Sequence, residues 1–217
     1  MNITIKIGND GSISVEEDNG GVKSYKVISP DALLSCISAG IMRGGVTSGL
    51  LPKNCISFTS YDSGERDVCL LHPESRSDVS YAGTVYKDFP LPRLVFGFRI
   101  SKEGRIGSSR LGITENTDTL RPDTKMFHYP FSNVSGFSLC TGNNIFPAVK
   151  SLHTLGSIPY YILSMPNNND HFTPGNNKQG LEMRGLFELI KDRHPEFYYS
   201  DILIPSRATL NDFISSL

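Results

Sequence analysis

The sequence predicts an α+β fold in which a four-stranded antiparallel meander is flanked by helices and preceded by an N-terminal β extension. Three observations lead to this prediction. Residues 1–28 alternate apolar and polar side chains around glycine turns, residues 53–113 contain four apolar runs, and residues 179–216 contain two helix-like patterns. A chain of 217 residues, 38% of them hydrophobic, can bury one substantial core, so we expect one main domain.

The N-terminal extension is predicted over residues 1–28, with the main domain over residues 29–217. Its three expected strands are residues 2–8, 12–16 and 22–28, and they are separated by turns rich in Asn and Gly. Together these strands are expected to form a hairpin or a small meander.

A helix is predicted to follow these strands. Ser29 is a suitable N-cap residue, Pro30 fits the first helical position, and Asp31 places an acidic group in the first turn. The apolar residues that follow favour a helix over about residues 30–42, which ends at the Gly44-Gly45 pair.

The central part of the chain predicts the antiparallel meander. Its strands are separated by turn residues such as Asp62-Ser63-Gly64, and Pro90 and Pro92 fall in a connection, where proline is tolerated. The four strand segments are Cys55–Phe58, Asp67–Leu71, Arg93–Ile100 and Arg105–Ile113.

The remaining segments lead from the meander to the C-terminus. Residues 114–146 lack periodicity yet carry many aromatic side chains, as expected of an ordered irregular segment that is pinned to the core. Beyond it we expect, in order, a short helix from Pro147, an apolar strand-like run over Ile158–Leu163, a polar loop over 167–177, an amphipathic helix within 179–192 and a short helix near 208–216.

Composition narrows the classes of function. The formal net charge is only −1 and no basic block is present, so nucleic-acid binding is not expected. The N-terminus lacks the features of a signal peptide, and no apolar run is long enough for a membrane span. We therefore expect a cytoplasmic chain that does not bind membranes.

The four cysteines show none of the spacings of a metal site. Cys36, Cys55, Cys69 and Cys140 form no CxxC pair, which argues against structural zinc, and disulfides are disfavoured in a reducing compartment. We therefore expect neither a metal nor another cofactor. Cys36 on an apolar helix face, and Cys55 and Cys69 within strands, are predicted to pack in the core.

The segment that carries chemistry runs from Tyr129 to Gly142 and reads Tyr-Pro-Phe-Ser-Asn-Val-Ser-Gly-Phe-Ser-Leu-Cys-Thr-Gly. Its Pro-Phe-x-Asn-Val and Cys-x-Gly elements resemble the active-site segment of E2 ubiquitin-conjugating enzymes. They resemble more closely the prokaryotic E2 family D, which includes the PRTRC system protein B group. The resemblance covers about residues 50–210 and implies an E2/UBC-like fold.

The segment departs from the usual E2 pattern in two ways. The His-Pro-Asn tripeptide becomes Phe131-Ser132-Asn133, so only the Asn is retained, and the loop from Asn133 to Cys140 is one residue shorter than usual. In E2 enzymes the lost His mainly shapes the Asn loop. Here either Phe131 or His128 is available for that role.

The resemblance implies acyl transfer through a cysteine thioester. Cys140 would accept the C-terminus of a ubiquitin-like protein, and Asn133 would stabilise the oxyanion that forms when the target attacks. Each residue also has a plain structural interpretation. Cys140 would then be a small core residue, and Asn133 a turn residue that caps local backbone.

Transfer to an amine or a hydroxyl also benefits from a group that eases deprotonation of the acceptor. Asp170 and His171, in the polar loop, are the best candidates for this role, and a solvated loop is the alternative. His128 is interpreted as structural. The remaining histidines show no metal-ligand spacing and have the same interpretation.

The resemblance implies three protein partners: a ubiquitin-like protein, an E1-like enzyme of the ThiF type and a target protein. It further implies an operon that also encodes a JAB-type protease, with antiviral defence against phage as one setting. Two other functions remain open. One is a catalytically silent E2-like scaffold that binds the E1-like and ubiquitin-like partners, and the other is a cysteine hydrolase with a Cys140/His171 dyad.

Overall fold

A computed structural model gives the structure of residues 2–41 and 47–217. The chain divides into two compact units, Met1–Thr47 and Ser48–Leu217. The first unit is a small antiparallel sheet followed by one helix. Its elements are β1 (Asn2–Ile7), β2 (Ile13–Asn19), β3 (Val22–Ile28) and α1 (Pro30–Ile41).

The strands and the helix start predicted for the first unit are present. Gly20 and Gly21 form the β2–β3 turn with positive φ at both residues, as a tight two-residue hairpin requires. Ser29 caps α1, because its Oγ accepts a hydrogen bond from the Ala32 N–H at 3.2 Å. The predicted helix end at Gly44-Gly45 lies outside the described residues. The contacts place α1 in the same unit as the three strands, whereas the sequence predicts a boundary after residue 28.

The second unit contains ten strands and several short helices in its described part. Its strands are β4 (Cys55–Ser60), β5 (Arg66–His72), β6 (Ser75–Tyr81), β7 (Thr84–Leu91), β8 (Leu94–Ile100), β9 (Ile106–Thr114), β10 (Lys125–Phe127), β11 (Val134–Ser135), β12 (Ser138–Leu139) and β13 (Pro205–Thr209). Its α-helices are α2 (Ile158–Leu163), α3 (Met183–Ile190) and α4 (Leu210–Ser215), with 3-10 turns at Leu152–Ser157 and Pro174–Asn176 and a π-helix at Tyr198–Ile202.

The main sheet is antiparallel, with the strand order β11-β12-β9-β8-β5-β4. Strand β10 pairs with both β9 and β13 beside this path, and β6 and β7 form a separate two-stranded sheet. Strand β8 is buried on both faces. Phe96 and Phe98 belong to the larger apolar cluster, whereas Val95 belongs to a smaller cluster with Met126 and Phe213.

This architecture is mostly β, and the predicted α+β, E2/UBC-like fold is wrong. Strands contain 38% of the residues and helices 22%. Six strands form a curled antiparallel half-barrel with few helices around it. The four predicted strand segments are present as β4, β5, β8 and β9. The strands that enlarge the sheet, β10 to β13, have only two to five residues each, which is too short for a periodic pattern to reveal.

Two further segments differ from their predictions. The segment around Pro90, predicted as a connection, forms the β6–β7 hairpin, in which Pro90 pairs with Arg76. Both strands of a two-stranded sheet are edge strands, where proline is tolerated. The Ile158–Leu163 run, predicted as a strand, is helix α2, because Pro159 fits its first turn and Ile158 and Ile162 lie one turn apart on its buried side.

Helix α3 lies within the predicted 179–192 segment and supports the segment that leads into the candidate site. Its buried residues have the spacing of one helix face: Met183, Leu186, Phe187 and Ile190. The Phe187 ring lies 5.1 Å from the Phe131 ring, centroid to centroid, and 5.0 Å from that of Phe89. These contacts fix Phe131 in the core two residues before Asn133.

Candidate functional site

The candidate site is built on the β11–β12 hairpin. Asn133 immediately precedes β11, and Cys140 immediately follows β12. The pairing of the two strands leaves Gly136-Phe137 as a two-residue turn. Gly136 has a φ of 59°, which glycine adopts without strain. The short hairpin therefore brings Asn133 and Cys140 side by side.

The hairpin is fixed to the main sheet. Ser138 pairs with Arg110 of β9, and the Leu111 N–H donates to the Phe137 carbonyl at 2.9 Å. The Phe137 ring contacts the Phe213 ring edge to face, with 5.0 Å between the centroids. The site therefore stands on a rigid element, which is what precise placement of a reactive group needs.

Cys140 presents an exposed thiol on a fixed backbone. Its N–H donates to the Asn133 carbonyl at 2.7 Å, and the residue is exposed. Within residues 2–41 and 47–217, no hydrogen-bond partner occupies its sulfur. An acyl donor can reach such a thiol, whereas a cysteine packed in the core is inert.

Asn133 is held on both sides of its α-carbon. Its N–H donates to the Asp170 carbonyl at 2.8 Å, and its carbonyl accepts the Cys140 N–H. Its φ is 66°, in the left-handed region that Asn tolerates better than most residues. The side chain is half-buried, and its amide has no hydrogen-bond partner in the described part of the chain. Its two N–H donors therefore have no partner among the described residues, and Asn133 and Cys140 line the same narrow cavity.

Ser132 is a further residue of the site, and it was not predicted as one. It is buried, its Oγ donates to Asn167 Oδ1 at 3.1 Å, and the same Oγ accepts the Asn168 N–H at 3.2 Å. Asn167 in turn donates its N–H to the Ser80 carbonyl at 2.8 Å. Ser132 thus ties the polar loop to the start of the hairpin. Its only sequence signal is its place next to Asn133 in the motif.

The polar loop brings Asp170 to Asn133 and places His171 beside it. The Asp170 carboxylate accepts the Asn168 side-chain amide at 2.8 Å, and the Asp170 N–H donates back to Asn168 Oδ1 at 2.7 Å. Asp170 and His171 are both exposed. No hydrogen bond joins the His171 ring to the Cys140 sulfur among the described residues, so the Cys140/His171 dyad gains no support.

Phe131 and His128 were both considered for shaping the loop that contains Asn133. Phe131 makes the contacts that could hold this loop in place. Phe131 is buried against Phe187, and its ring lies 5.7 Å from that of Tyr129, whose hydroxyl pKa is raised by burial. His128 is exposed, and its N–H donates to the Ile204 carbonyl at 3.0 Å. The ring contacts of Phe131 therefore anchor the segment that precedes Asn133.

Two depressions adjoin Cys140. A narrow cavity of about 40 Å³ is lined by Cys140, Asn133 and apolar core side chains, and it has room for about one water molecule. A wider groove of about 710 Å³ is lined by Leu139 and Thr141, the two neighbours of Cys140, and by residues 105–110. The groove is in the size range of sites that bind small ligands or peptide segments.

The other cysteines have different environments. Cys69 is buried, and burial raises the pKa of its thiol to about 12. Burial also raises the pKa of the Cys55 thiol, which is half-buried. Both are therefore poor nucleophiles at neutral pH. Cys36 is exposed, so the prediction that it packs in the core is wrong: α1 leaves that side uncovered within its own unit.

The described residues contain no group of three or more His, Cys, Asp or Glu side chains that could hold a metal ion. None of the helices in the described ranges has the length and apolar character of a membrane-spanning helix.

Comparisons of the chain with protein-family models, with curated proteins and with solved structures found no match. Its function must therefore be inferred from the chemistry of its own residues.

Proposed function

We propose that this chain is an acyl transferase of ubiquitin-like conjugation that works through a thioester on Cys140. It would have the role of a bacterial E2 enzyme, accepting the C-terminal glycine of a ubiquitin-like protein from an E1-like enzyme of the ThiF type and passing it to a target protein. One observation carries the proposal. The exposed Cys140 is hydrogen-bonded through its backbone to Asn133, whose own N–H is bonded to Asp170.

The proposal does not require the fold of E2 enzymes. Function depends on the geometry of a site, and the same chemistry occurs on unrelated folds. Here a hairpin on the edge of a β-sheet holds the thiol, and a packed aromatic residue, Phe131, holds the segment that leads to it.

In the loading step, the Cys140 thiolate attacks the carbonyl carbon of the thioester on the E1-like enzyme. A carbon–sulfur bond forms to Cys140, the carbon–sulfur bond to the E1-like enzyme breaks, and that sulfur leaves as a thiolate. The proton that Cys140 gives up is balanced by the proton that the leaving thiolate takes up. The donor is already activated, so the protein has only to present an accessible thiol.

In the transfer step, an amine or a hydroxyl of the target attacks the thioester carbonyl. The bond to the Cys140 sulfur breaks, the thiolate is regenerated, and the attacking atom loses one proton. The intermediate carries an oxyanion, to which the Asn133 amide would donate a hydrogen bond. A single donor of this kind contributes about 10²–10³-fold to the rate.

Asp170 acts first as a positioning residue, because its backbone carbonyl holds the Asn133 N–H. Its carboxylate and the His171 ring are exposed in the same loop. We assign these two groups to assist deprotonation of the acceptor, since a carboxylate or an imidazole near the attacking atom can accept its proton.

Reconstitution tests the proposal. The purified chain is incubated with ATP and with an E1-like enzyme and a ubiquitin-like protein from the same genome, and adducts are resolved with and without reductant. We expect a reductant-sensitive adduct on the wild type. The adduct should be lost in Cys140→Ala and kept in Cys36→Ala, which removes the other exposed thiol.

Two rival functions make different predictions in the same assay. A catalytically silent scaffold would bind its partners and form no adduct, or an adduct that persists in Cys140→Ala. A cysteine hydrolase would turn over a simple ester or peptide without any E1-like enzyme. Either result would refute the transferase mechanism.

A further inference from the structure

Strand β9 has an open edge next to Cys140. One side of the strand pairs with β8 from Ile106 to Ile113, with a bulge at Gly107. On the other side, β10 pairs with Ile113 and Thr114, and β12 pairs with Arg110. No strand of the described chain pairs with residues 106–109 on that side. An open edge presents unpaired backbone groups and is the usual template for strand addition by a peptide.

The backbone of this edge faces the wider groove. The Leu111 N–H lies on the side of β9 away from β8, because it donates to the Phe137 carbonyl. Because backbone N–H groups alternate between the two sides of a strand, the N–H of Ser109, two residues earlier, faces the same edge. Gly107 also lines the groove, and a Cβ built on it would meet no atom within 4 Å. The edge therefore offers hydrogen-bonding groups and free space together.

The groove runs between two defined ends. At one end, the Val149 N–H donates to the Gly104 carbonyl at 2.7 Å, which ties the loop after Cys140 to the β8–β9 turn. At the other end lie Leu139 and Thr141, on either side of Cys140. A peptide that lies along the groove therefore ends beside the two neighbours of Cys140, while Cys140 itself lines the adjoining narrow cavity.

The groove is positively charged. Arg105 and Arg110 line it, and its lining residues in the described part of the chain include no Asp or Glu. The Arg110 guanidinium donates to uncharged oxygens, the Ser216 carbonyl at 3.1 Å and Ser138 Oγ at 3.3 Å. Complementary charge across an interface selects between partners. The groove thus favours a segment that carries a carboxylate side chain.

We propose that the open edge of β9 binds the C-terminal tail of the acyl donor as an added strand, and that Arg105 and Arg110 favour a tail with an acidic residue. This inference rests on the proposed function, because it assigns the path by which the terminal glycine reaches Cys140. The tail must run parallel to β9, since its C-terminus has to end beside Leu139 and Thr141. At about 3.3 Å per residue, a tail of about six residues covers the open edge and reaches the thiol.

The test compares the acylation of Cys140 by two thioester probes in the full chain. One probe is the benzyl thioester of N-acetylglycine. The other is the benzyl thioester of an acetylated peptide of about six residues that ends in glycine and carries a glutamate. Intact-mass spectrometry follows both reactions in a Cys36→Ala background. We expect the peptide thioester to acylate Cys140 roughly tenfold faster than the acetylglycine thioester, because it can form a few added main-chain hydrogen bonds. A peptide with lysine in place of the glutamate should show a smaller gain in rate.

A matched pair of glycine variants locates the effect. Gly107→Leu places a side chain in the groove at a position where a built Cβ meets no atom within 4 Å, so it should reduce the rate of the peptide probe to that of the acetylglycine probe in the same variant. Gly156→Leu is the control, because this exposed glycine lies outside the groove and the nearest atom to a built Cβ is 4.0 Å away. It should keep the full advantage.

The outcomes separate the two proposals. A peptide that reacts no faster than acetylglycine, or an advantage that survives Gly107→Leu, would overturn strand addition and leave the proposed function standing. An equal gain with glutamate and lysine would overturn the role assigned to the arginines. If neither probe acylates Cys140, the proposed function fails, and tail binding fails with it.

Discussion

The backbone N–H of Asn133 donates to the carbonyl oxygen of Asp170 at 2.8 Å, and this bond joins the Cys140 hairpin to a loop far along the chain. The carbonyl of the same Asn133 accepts the Cys140 N–H at 2.7 Å. Asn133 is thus fixed on both sides while its side-chain amide keeps its donors available. Donors placed in advance in this way stabilise a developing charge without a cost of reorganisation at the moment of reaction.

Replacing Asn133 with glycine should separate catalysis from folding. Asn133→Gly removes the amide but keeps the left-handed backbone, which glycine adopts freely at the observed φ of 66°. We expect the discharge of a Cys140 thioester to a free amine to slow by about 10²–10³-fold. Single-turnover discharge measures this rate, and urea unfolding should give a free energy close to that of the wild type.

Asn133→Ala is the comparison variant. Its thioester should discharge as slowly as that of Asn133→Gly. Its free energy of unfolding should also fall by about 1–2 kcal/mol, because alanine is strained in the left-handed region. Discharge at the wild-type rate in Asn133→Gly would exclude the amide as the oxyanion donor.

Ser132→Ala should loosen the link between the hairpin and the polar loop. It removes the partner of the Asn167 side chain and of the Asn168 N–H at a buried position. Leaving such groups unsatisfied costs about 1–3 kcal/mol of stability, which urea unfolding measures. Ser135→Ala, at an exposed position of the same hairpin, should change the stability little. Equal stabilities for the two variants would contradict a structural role for the Ser132 hydroxyl.

Asn133 and Cys140 were paired through the resemblance of their motif and not through a predicted hairpin. The segment was expected to be irregular, because β11 and β12 have only two residues each and show no periodic pattern. The bond from Asn133 to Asp170 depends instead on how the polar loop packs, through Ser132 and Asn167, and no local pattern encodes it. Asp170 was selected because its carboxylate could accept a proton. Its position next to Asn133 is seen only in the tertiary structure.

The prediction of the fold was wrong for a related reason. The β6–β7 hairpin turns at Ala82-Gly83, where Ala82 has a φ of 46°, a conformation that the turn signals of a sequence do not assign to alanine. Helix α2 has only six residues, and its apolar residues also suit a strand. Both segments also bury apolar side chains in the larger core cluster, which a local sequence pattern does not show.

Alkaline pH should destabilise the folded chain in part through Cys69. Burial raises the pKa of this thiol from its ordinary 9.0 to about 12. Above pH 9.0 the unfolded chain therefore releases a proton that the folded chain retains until about pH 12. The stability that this thiol contributes is full below the lower value and is lost as the pH rises towards the upper one, by up to about 1.4 kcal/mol per pH unit.

Cys69→Ala should therefore flatten the dependence of the unfolding free energy on pH between the two pKa values. Urea unfolding at a series of pH values measures the slope, and the tyrosines contribute to it in both proteins. Cys36→Ala, at an exposed cysteine, should keep the wild-type slope. The same slope in Cys69→Ala and in the wild type would mean that the thiol titrates alike in both states.

Gly104→Ala should disturb the closed end of the groove, where the Val149 N–H donates to the Gly104 carbonyl. Gly104 has a φ of 84°, and a Cβ built on it would lie 2.5 Å from the Val149 carbonyl oxygen, so alanine meets both backbone strain and a backbone clash. The strain alone costs about 1–2 kcal/mol, and relief of the clash must move Val149 away from β9. We expect lower stability in urea and a smaller advantage for the peptide thioester over the acetylglycine probe.

Gly156→Ala is the matched control, because Gly156 lies outside the groove, its backbone is outside the left-handed region, and the nearest atom to a built Cβ is 4.0 Å away. It should keep the stability of the wild type. If Gly104→Ala matches it in both measurements, the bond from Val149 to Gly104 does not shape the groove. If only the stability falls, the closed end supports the fold while the tail is bound by the open edge of β9 alone.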